Sequence, residues 1–300
     1  MKALVYSGPE SLELVEREIP KPAEGEALIR VRCSGICGTD LSILAGKHPR
    51  ARAPLIMGHE FSGEIVEIGG AGAKGAGLQS GDHVIAEPLI SCGRCFACRS
   101  GFSYVCQSLK LYGIDADGAF AEYVRLPLAS LYRIPNDLDY RLGALIEPLA
   151  VAVHAVRLSS LKLSDSVCVV GAGPIGLMTG LVARIAGPEQ VILCERDPSR
   201  IEIAQAHGFR VIDTEHADPI IETLALTSGR GMDLVFEAAG GPTTYITALK
   251  LCRVHGEVIQ VAMPKDQVPA DMVTLTFKEL TVKGLRVYAP FDFERGNSGG

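Results

Sequence analysis

Four cysteines stand close together as Cys92-x2-Cys95-x2-Cys98-x7-Cys106. Four thiolates fill the tetrahedral shell of Zn²⁺, and a filled shell leaves no position for water or substrate, so the spacing predicts a structural zinc loop over 91–107. A disulfide framework would instead spread its thiols to staple distant segments. A second pattern is Val167-Cys168-Val169-Val170 running into Gly171-Ala172-Gly173-Pro174-Ile175-Gly176. A strand followed by G-x-G-x-x-G at a helix start is the fingerprint of dinucleotide binding. The first glycine permits the tight turn, the second lets backbone approach a pyrophosphate, and the third lets helix pack on strand. The helix N-terminus then offers free N–H groups and a positive dipole end to the anion. Glu195 closes the next apolar run at the distance expected of a carboxylate on the adenosine ribose, which favours NAD over NADP. Arg196 beside it would cover the adenine face or accommodate a phosphate.

Other ligand-type residues come from separate segments: Gly35-Ile36-Cys37-Gly38-Thr39-Asp40, Gly58-His59-Glu60-Phe61-Ser62-Gly63 and Ile146-Glu147-Pro148-Leu149. Cysteine, histidine and carboxylate with one position open is the ligand set of a catalytic Zn²⁺. A lone cysteine and a lone histidine also serve as core or turn residues, and spacing alone leaves both readings standing.

Two kinds of element must position these groups. From Met1 to about Arg125 the chain reads as short strands broken by Gly, Pro and Asp, with alternation at 27–33, 64–68, 83–86 and 119–124, the pattern of a barrel or sandwich. After Arg141 apolar strands at 167–170, 191–194, 211–212, 233–236, 257–261 and 280–285 alternate with helical patterns at 176–185, 199–207, 219–226 and 243–252. Repeated β-α-β with apolar strands means a parallel sheet covered on both faces, an α/β fold. The stretch 138–161 reads as helical and joins the halves, giving domains at 1–150 and 151–290.

Composition narrows the class. The 300 residues carry a net charge of −6 with 47% hydrophobic and 21% charged residues, which excludes a disordered chain and gives no concentrated basic face for nucleic acid. The opening MKALVYSGPE has too short an apolar run for a signal peptide, so a cytoplasmic protein is expected. The uncharged stretch 166–183 approaches the length of a membrane span, but five glycines and prolines within it favour strand, turn and helix.

Taken together, Cys37-Gly38-Thr39-Asp40, Gly58-His59-Glu60-Phe61-Ser62-Gly63, Gly81-Asp82-His83-Val84, the four-cysteine loop, Gly118-Ala119-Phe120-Ala121-Glu122-Tyr123-Val124, Glu147-Pro148-Leu149-Ala150 and the glycine fingerprint resemble the zinc-dependent medium-chain dehydrogenases. The likeness is to their polyol, threonine and butanediol branch and covers nearly the whole chain. It implies a GroES-like β-barrel catalytic domain, a Rossmann domain with a doubly wound parallel sheet, and an alcohol substrate between them. It also implies two zinc ions, a nicotinamide cofactor and a homo-oligomer. By the same resemblance Cys37, His59 and Glu60 would be ligands of the catalytic zinc, with Glu147 either an alternative ligand or a partner of zinc-bound water. Thr39 would accept the substrate O–H bond and relay its proton, while also capping a helix that begins near Asp40. Many relatives carry histidine where this chain has Ser42, and serine cannot hold that proton.

The expected function is hydride transfer from a secondary alcohol to NAD, a polyol foremost, with threonine or 2,3-butanediol as alternatives. A cofactor-binding scaffold without activity is the contrasting reading. The last residues, Gly296-Asn297-Ser298-Gly299-Gly300, have no helix propensity, and 291–300 reads as a truncated end that would leave apolar side chains uncovered beside the last strand.

Overall fold

The computed structural model describes residues 1–70, 77–264 and 267–297. The chain forms two units, one of Met1–Pro148 with the segment that follows Tyr288, the other Leu149–Tyr288.

The first unit is built of antiparallel strands. β1 (Lys2–Gly8) lies between β2 (Ser11–Glu16) and the short β4 (Leu55–Ile56). A five-stranded sheet contains β3 (Glu26–Ser34), β5 (Phe61–Ile68), β6 (His83–Ala86), β9 (Tyr123–Pro127) and β10 (Leu131–Arg133) in the order β10-β6-β5-β3-β9. Alternation along these strands turns Ile29, Phe61, Ile65, Val84, Val124 and Leu126 into one core. The cysteine-rich loop carries a small ribbon of β7 (Leu89–Ile90) with β8 (Lys110–Leu111) and the one-turn helix α2 (Phe96–Arg99). Helix α1 (Gly38–Leu44) follows β3, while α3 (Tyr140–Ala144) and α4 (Ile146–Leu158) follow β10.

The second unit is a parallel sheet of β11 (Ser166–Val170), β12 (Gln190–Glu195), β13 (Arg210–Asp213), β14 (Met232–Glu237), β15 (Cys252–Gln260) and β16 (Thr281–Gly284), ordered β13-β12-β11-β14-β15-β16. Five helices connect or follow these strands: α5 (Pro174–Ile185), α6 (Pro198–Ala206), α7 (Pro219–Leu226), α8 (Pro242–Leu251) and α9 (Met272–Phe277). Proline opens α5, α6, α7 and α8, where its fixed φ suits the first turn and its missing N–H costs nothing. Val167, Val169, Leu193, Leu234 and Phe236 point to one face and Cys168, Val170, Ile192, Cys194 and Val235 to the other, so both faces are buried. Cys168 and Cys194 bring their sulfurs to 3.5 Å in the second of these cores, which also holds Cys252.

Several expectations need correction. The strand read at 119–124 forms instead at Tyr123–Pro127, and Ala121 makes only an isolated bridge to Ala3, because Phe120 turns to bond the backbone of Leu4 and Met57. The final strand is shorter than 280–285, while Leu280 just before it and Val282 within it still pack on the sheet core. Helix α10 (Pro290–Asn297) runs through Gly296 despite that residue's low propensity, and Phe293 on it is fully buried with its ring 5.0 Å from that of Tyr132. Exposed apolar side chains in this part of the chain include Phe277 of α9, 84% exposed, and Phe291 of α10. Among the described residues no helix is long and apolar enough to cross a membrane.

Candidate active site and cofactor turn

Cys37 ends the loop after β3 and caps α1, so the sulfur sits where the chain turns from extended to helical backbone. Two residues after Ile56 the chain turns at Gly58 (φ +90°) against Phe120, Gly113 and Gly118, which leads His59 and Glu60 into the start of β5. A Cβ at Gly35 would overlap Glu60 Oε2, so glycine there leaves room for the carboxylate. Gly35 N–H also bonds the Glu60 carbonyl at 2.6 Å. These elements bring one ligand atom each from Cys37, His59 and Glu60 within 4.8 Å of one another. Glu147, buried near the start of α4, lies outside that grouping, although its charge acts on His59.

The electrostatics are those of a site short of positive charge. Burial pushes His59 down, but the bond to Cys37 and the charges of Glu147, Cys37 and Asp40 overcome it and lift the imidazole to about 10. Burial raises both Asp40 and Glu60, in each case against the attraction of His59. Among the described residues Asp40 Oδ1 and His59 Nδ1 have no hydrogen-bond partner; buried, they face each other only at ion-pair distance, 3.8 Å. Unpaired buried polar atoms of this kind are costly. A divalent cation at the Cys37, His59 and Glu60 atoms would answer that shortage, so the donor set fits zinc.

Asp40 is the functional residue that sequence reasoning missed. Its Oδ2 accepts the Cys37 N–H at 2.9 Å and its other oxygen faces His59, so one side chain orients two of the grouped residues. The signal was present, since Asp three residues after Cys37 has the spacing of a capping box. Cys37, not Thr39, is the N-cap; Thr39 stands at the second helical position, half-buried, and does not cap.

In the cysteine loop the four sulfurs lie within 4.8 Å of one another, with separations of 3.5 Å for Cys95 to Cys98, 3.9 Å for Cys95 to Cys106 and 4.0 Å for Cys92 to Cys98. A tetrahedron with metal–sulfur bonds of about 2.3 Å has edges of about 3.8 Å, so this cage has the size of a ZnS₄ shell. Cys92 is drawn down to about 6 by the backbone N–H groups of Arg94 and Cys95, whereas Cys98 is held up to about 11 by desolvation and by its neighbouring thiols.

At the fingerprint, Gly171 takes φ +99° and its N–H bonds Cys194 at 2.8 Å. A Cβ at Gly176 would collide with the Gly171 carbonyl, so the third glycine is required by packing. Gly173 differs from both. Its φ of −63° suits any residue, and a Cβ there would meet nothing nearer than Arg200 Nη1 at 3.9 Å. Neither backbone nor packing demands glycine at 173, which leaves space for a ligand as the reason and fits a pyrophosphate over the start of α5. Pro174 and Ile175 form that first turn, with Ile175 packed into the sheet core. Glu195 is 7% exposed; its carboxylate accepts N–H bonds from Ala172 at 2.8 Å, Arg196 at 2.8 Å and Asp197 at 3.1 Å. Burial would raise it, but these bonds and the nearby Arg200 hold it below the usual range. The Arg196 side chain is exposed.

Comparison with known proteins agrees with both halves. Residues 23–136 match the alcohol dehydrogenase GroES-like domain and residues 174–297 the zinc-binding dehydrogenase domain. The chain is 39% identical to L-threonine 3-dehydrogenase of Bacillus licheniformis, over 100% of this chain and 87% of that protein. It is 35% identical to L-galactonate-5-dehydrogenase of Escherichia coli, over 98% and 86%. A zinc-binding dehydrogenase from Sinorhizobium meliloti, solved bound to NADP, superposes with a TM-score of 0.92 at 33% identity, over 98% of this chain and 86% of that one. The 2R,3R-butanediol dehydrogenase of Bacillus subtilis gives 0.89 at 31%, over 99% and 88%.

Proposed function

Because the chain belongs to the zinc-dependent medium-chain dehydrogenases and is an alcohol oxidoreductase using zinc and a nicotinamide cofactor, we propose that it oxidises a secondary alcohol of the polyol or sugar-acid class with NAD. The carrying observation is the convergence of Cys37, His59 and Glu60 from separate segments, with a buried Asp40 oxygen and His59 Nδ1 that make no hydrogen bond among the described residues. In this reading those three residues hold the catalytic zinc, and Cys92, Cys95, Cys98 and Cys106 hold a second, structural one. Zinc supplies Lewis acidity that makes an alcohol easier to ionise, and the nicotinamide supplies the two-electron acceptor.

The chain's own groups do the rest. Asp40 holds the backbone of Cys37 by a hydrogen bond and sets its other carboxylate oxygen against the imidazole of His59 at ion-pair distance. Glu147 adds negative charge that favours the protonated imidazole of His59. Thr39 Oγ1 accepts the substrate hydroxyl proton and passes it outward, with solvent taking the place of the histidine that relatives carry where Ser42 stands. Gly171, Gly173, Pro174, Ile175 and Gly176 seat the pyrophosphate, while Glu195 bonds the adenosine ribose and Arg196 covers the adenine. The protein works as a cytoplasmic homo-oligomer on a free small molecule, and a net charge of −6 suits no nucleic-acid role.

An oxidation screen over sorbitol, xylitol, L-galactonate, threonine and 2,3-butanediol, each with NAD and NADP, tests the reading. Turnover of a polyol or sugar acid with NAD is expected. Threonine is the second reading, favoured by the 39% identity to a threonine dehydrogenase, and turnover of threonine alone would select it.

A further inference from the structure

Glu237 closes β14 at 0% exposure, deeper than Glu195, which closes β12. Its Oε1 accepts the N–H of Ala239 at 3.1 Å, the N–H of Gly240 at 2.8 Å and the Thr244 hydroxyl at 2.7 Å. Its Oε2 accepts Gln260 Nε2 at 2.5 Å, and the second hydrogen of that amide goes to the Ala262 carbonyl at 2.8 Å. The backbone carbonyl of Glu237 takes two more, from Val261 and Ala262, both at 2.9 Å. One residue thus ties the turn leaving β14 to the turn leaving β15. The first turn also lies on the fingerprint, since a Cβ at Gly171 would come within 3.0 Å of Ala239.

The network is not built for stability alone. Among the described residues Gln260 Oε1 is buried with no partner, a cost that an apolar pair would not carry. What the arrangement delivers is position. In a doubly wound sheet a dinucleotide lies across the carboxyl ends of the strands at the point where strand order reverses, each mononucleotide over one half. Here the reversal falls between β11 and β14. Glu195 at the end of β12 marks the adenosine half, so the ends of β14 and β15 flank the nicotinamide half.

We infer that Glu237 is a positioning residue for the nicotinamide half of the cofactor, clamping the Ala238–Gly241 and Val261–Met263 turns in the shape that half is bound by. The inference rests on reading the fingerprint as a dinucleotide site. The two are separable, because AMP reports the adenosine half alone, whereas NADH reports both.

The test compares AMP and NADH dissociation constants in the wild type and in Glu237→Gln, using titration calorimetry for AMP and nicotinamide fluorescence for NADH. In Glu237→Gln the amide cannot accept at both ends, so either a donor of the first turn is released or the Gln260 amide flips and gives up its bond to the Ala262 carbonyl of the second. NADH binding is expected to weaken about tenfold while AMP changes less than twofold, the loss of one charge-assisted contact set. Wild-type affinity for both ligands bears on the fingerprint; the ratio between the proteins bears on Glu237. Equal weakening of AMP and NADH would reduce Glu237 to a general structural role and overturn the inference, as would no change in either. Should Glu237→Gln fail to fold, Thr244→Val removes a single donor. The same change also frees the Gly241 N–H that Thr244 Oγ1 accepts, within the same turn. It is expected to weaken NADH about threefold with AMP unchanged, and parallel losses there overturn the inference in the same way.

Discussion

The two cysteine-bearing clusters of the first unit differ in what they leave unfinished. The loop of Cys92, Cys95, Cys98 and Cys106 gathers its donors within one short segment, and each thiol has sulfur or backbone partners at the spacing of a closed shell. The cluster of Cys37, His59 and Glu60 draws on a helix cap and the segment entering β5, and among the described residues it leaves Asp40 Oδ1 and His59 Nδ1 in the interior without a hydrogen bond. A site that satisfies itself holds structure; one that keeps unpaired polar atoms holds capacity for something else. Polar groups buried without partners are tolerated where function uses them.

The sharpest way to break this contrast is to remove one sulfur from each cluster. Cys37→Ser is expected to lower turnover more than about a hundredfold, beyond what outer-shell partners cost, while the far-UV spectrum and AMP binding stay unchanged. If Cys37→Ser unfolds the chain, the open cluster is structural after all. Cys98→Ser should do the opposite. It is expected to lose one zinc of two by elemental analysis and to melt lower by about 5 °C or more, since metal binding to such a loop is folding free energy. A wild type with at most one zinc would remove the basis of the comparison.

A milder test lies one shell out. Asp40→Asn keeps the size of the side chain and removes the charge facing His59, and a loss of about 10–100-fold in zinc affinity or turnover is expected. An unchanged zinc titration would mean that Asp40 serves only to cap α1.

Glu195 sharpens the comparison from the second unit, because its carboxylate is already bonded to three backbone N–H groups, as in a closed site. Glu195→Ser is expected to lower NAD affinity about tenfold through the loosened Ala172 turn and to narrow the discrimination against NADP. Wild-type protein that turned over NADP better than NAD would overturn the proposed cofactor preference.

Legibility in the sequence followed the distance over which residues act. The alternation at 83–86 and the apolar runs at 167–170 and 219–226 carry their own period, and strands or helices formed there. The cysteine loop and the glycine turn are likewise local. Cys37 and His59 could be joined only through the resemblance, because nothing in their own neighbourhoods says that the turn at Gly58 brings them together. The strand at Tyr123–Pro127 was misplaced because alternation at 119–124 says nothing of Phe120 bonding Leu4 and Met57 from elsewhere in the chain. Asp40 and Glu237 stayed hidden for a related reason. A carboxylate whose task is to hold other groups looks in sequence like any cap or strand end.

The three thiols of the parallel-sheet core, Cys168, Cys194 and Cys252, are each at most 2% exposed. A thiol reagent can reach them only when the sheet opens, so their modification rate is a clock for the rarest fluctuations of the second unit. The loop thiols of the first unit would keep a separate clock, set by release of the zinc proposed for them. One reagent followed residue by residue in a mass spectrometer would therefore time the opening of each unit in the same sample, with no label introduced.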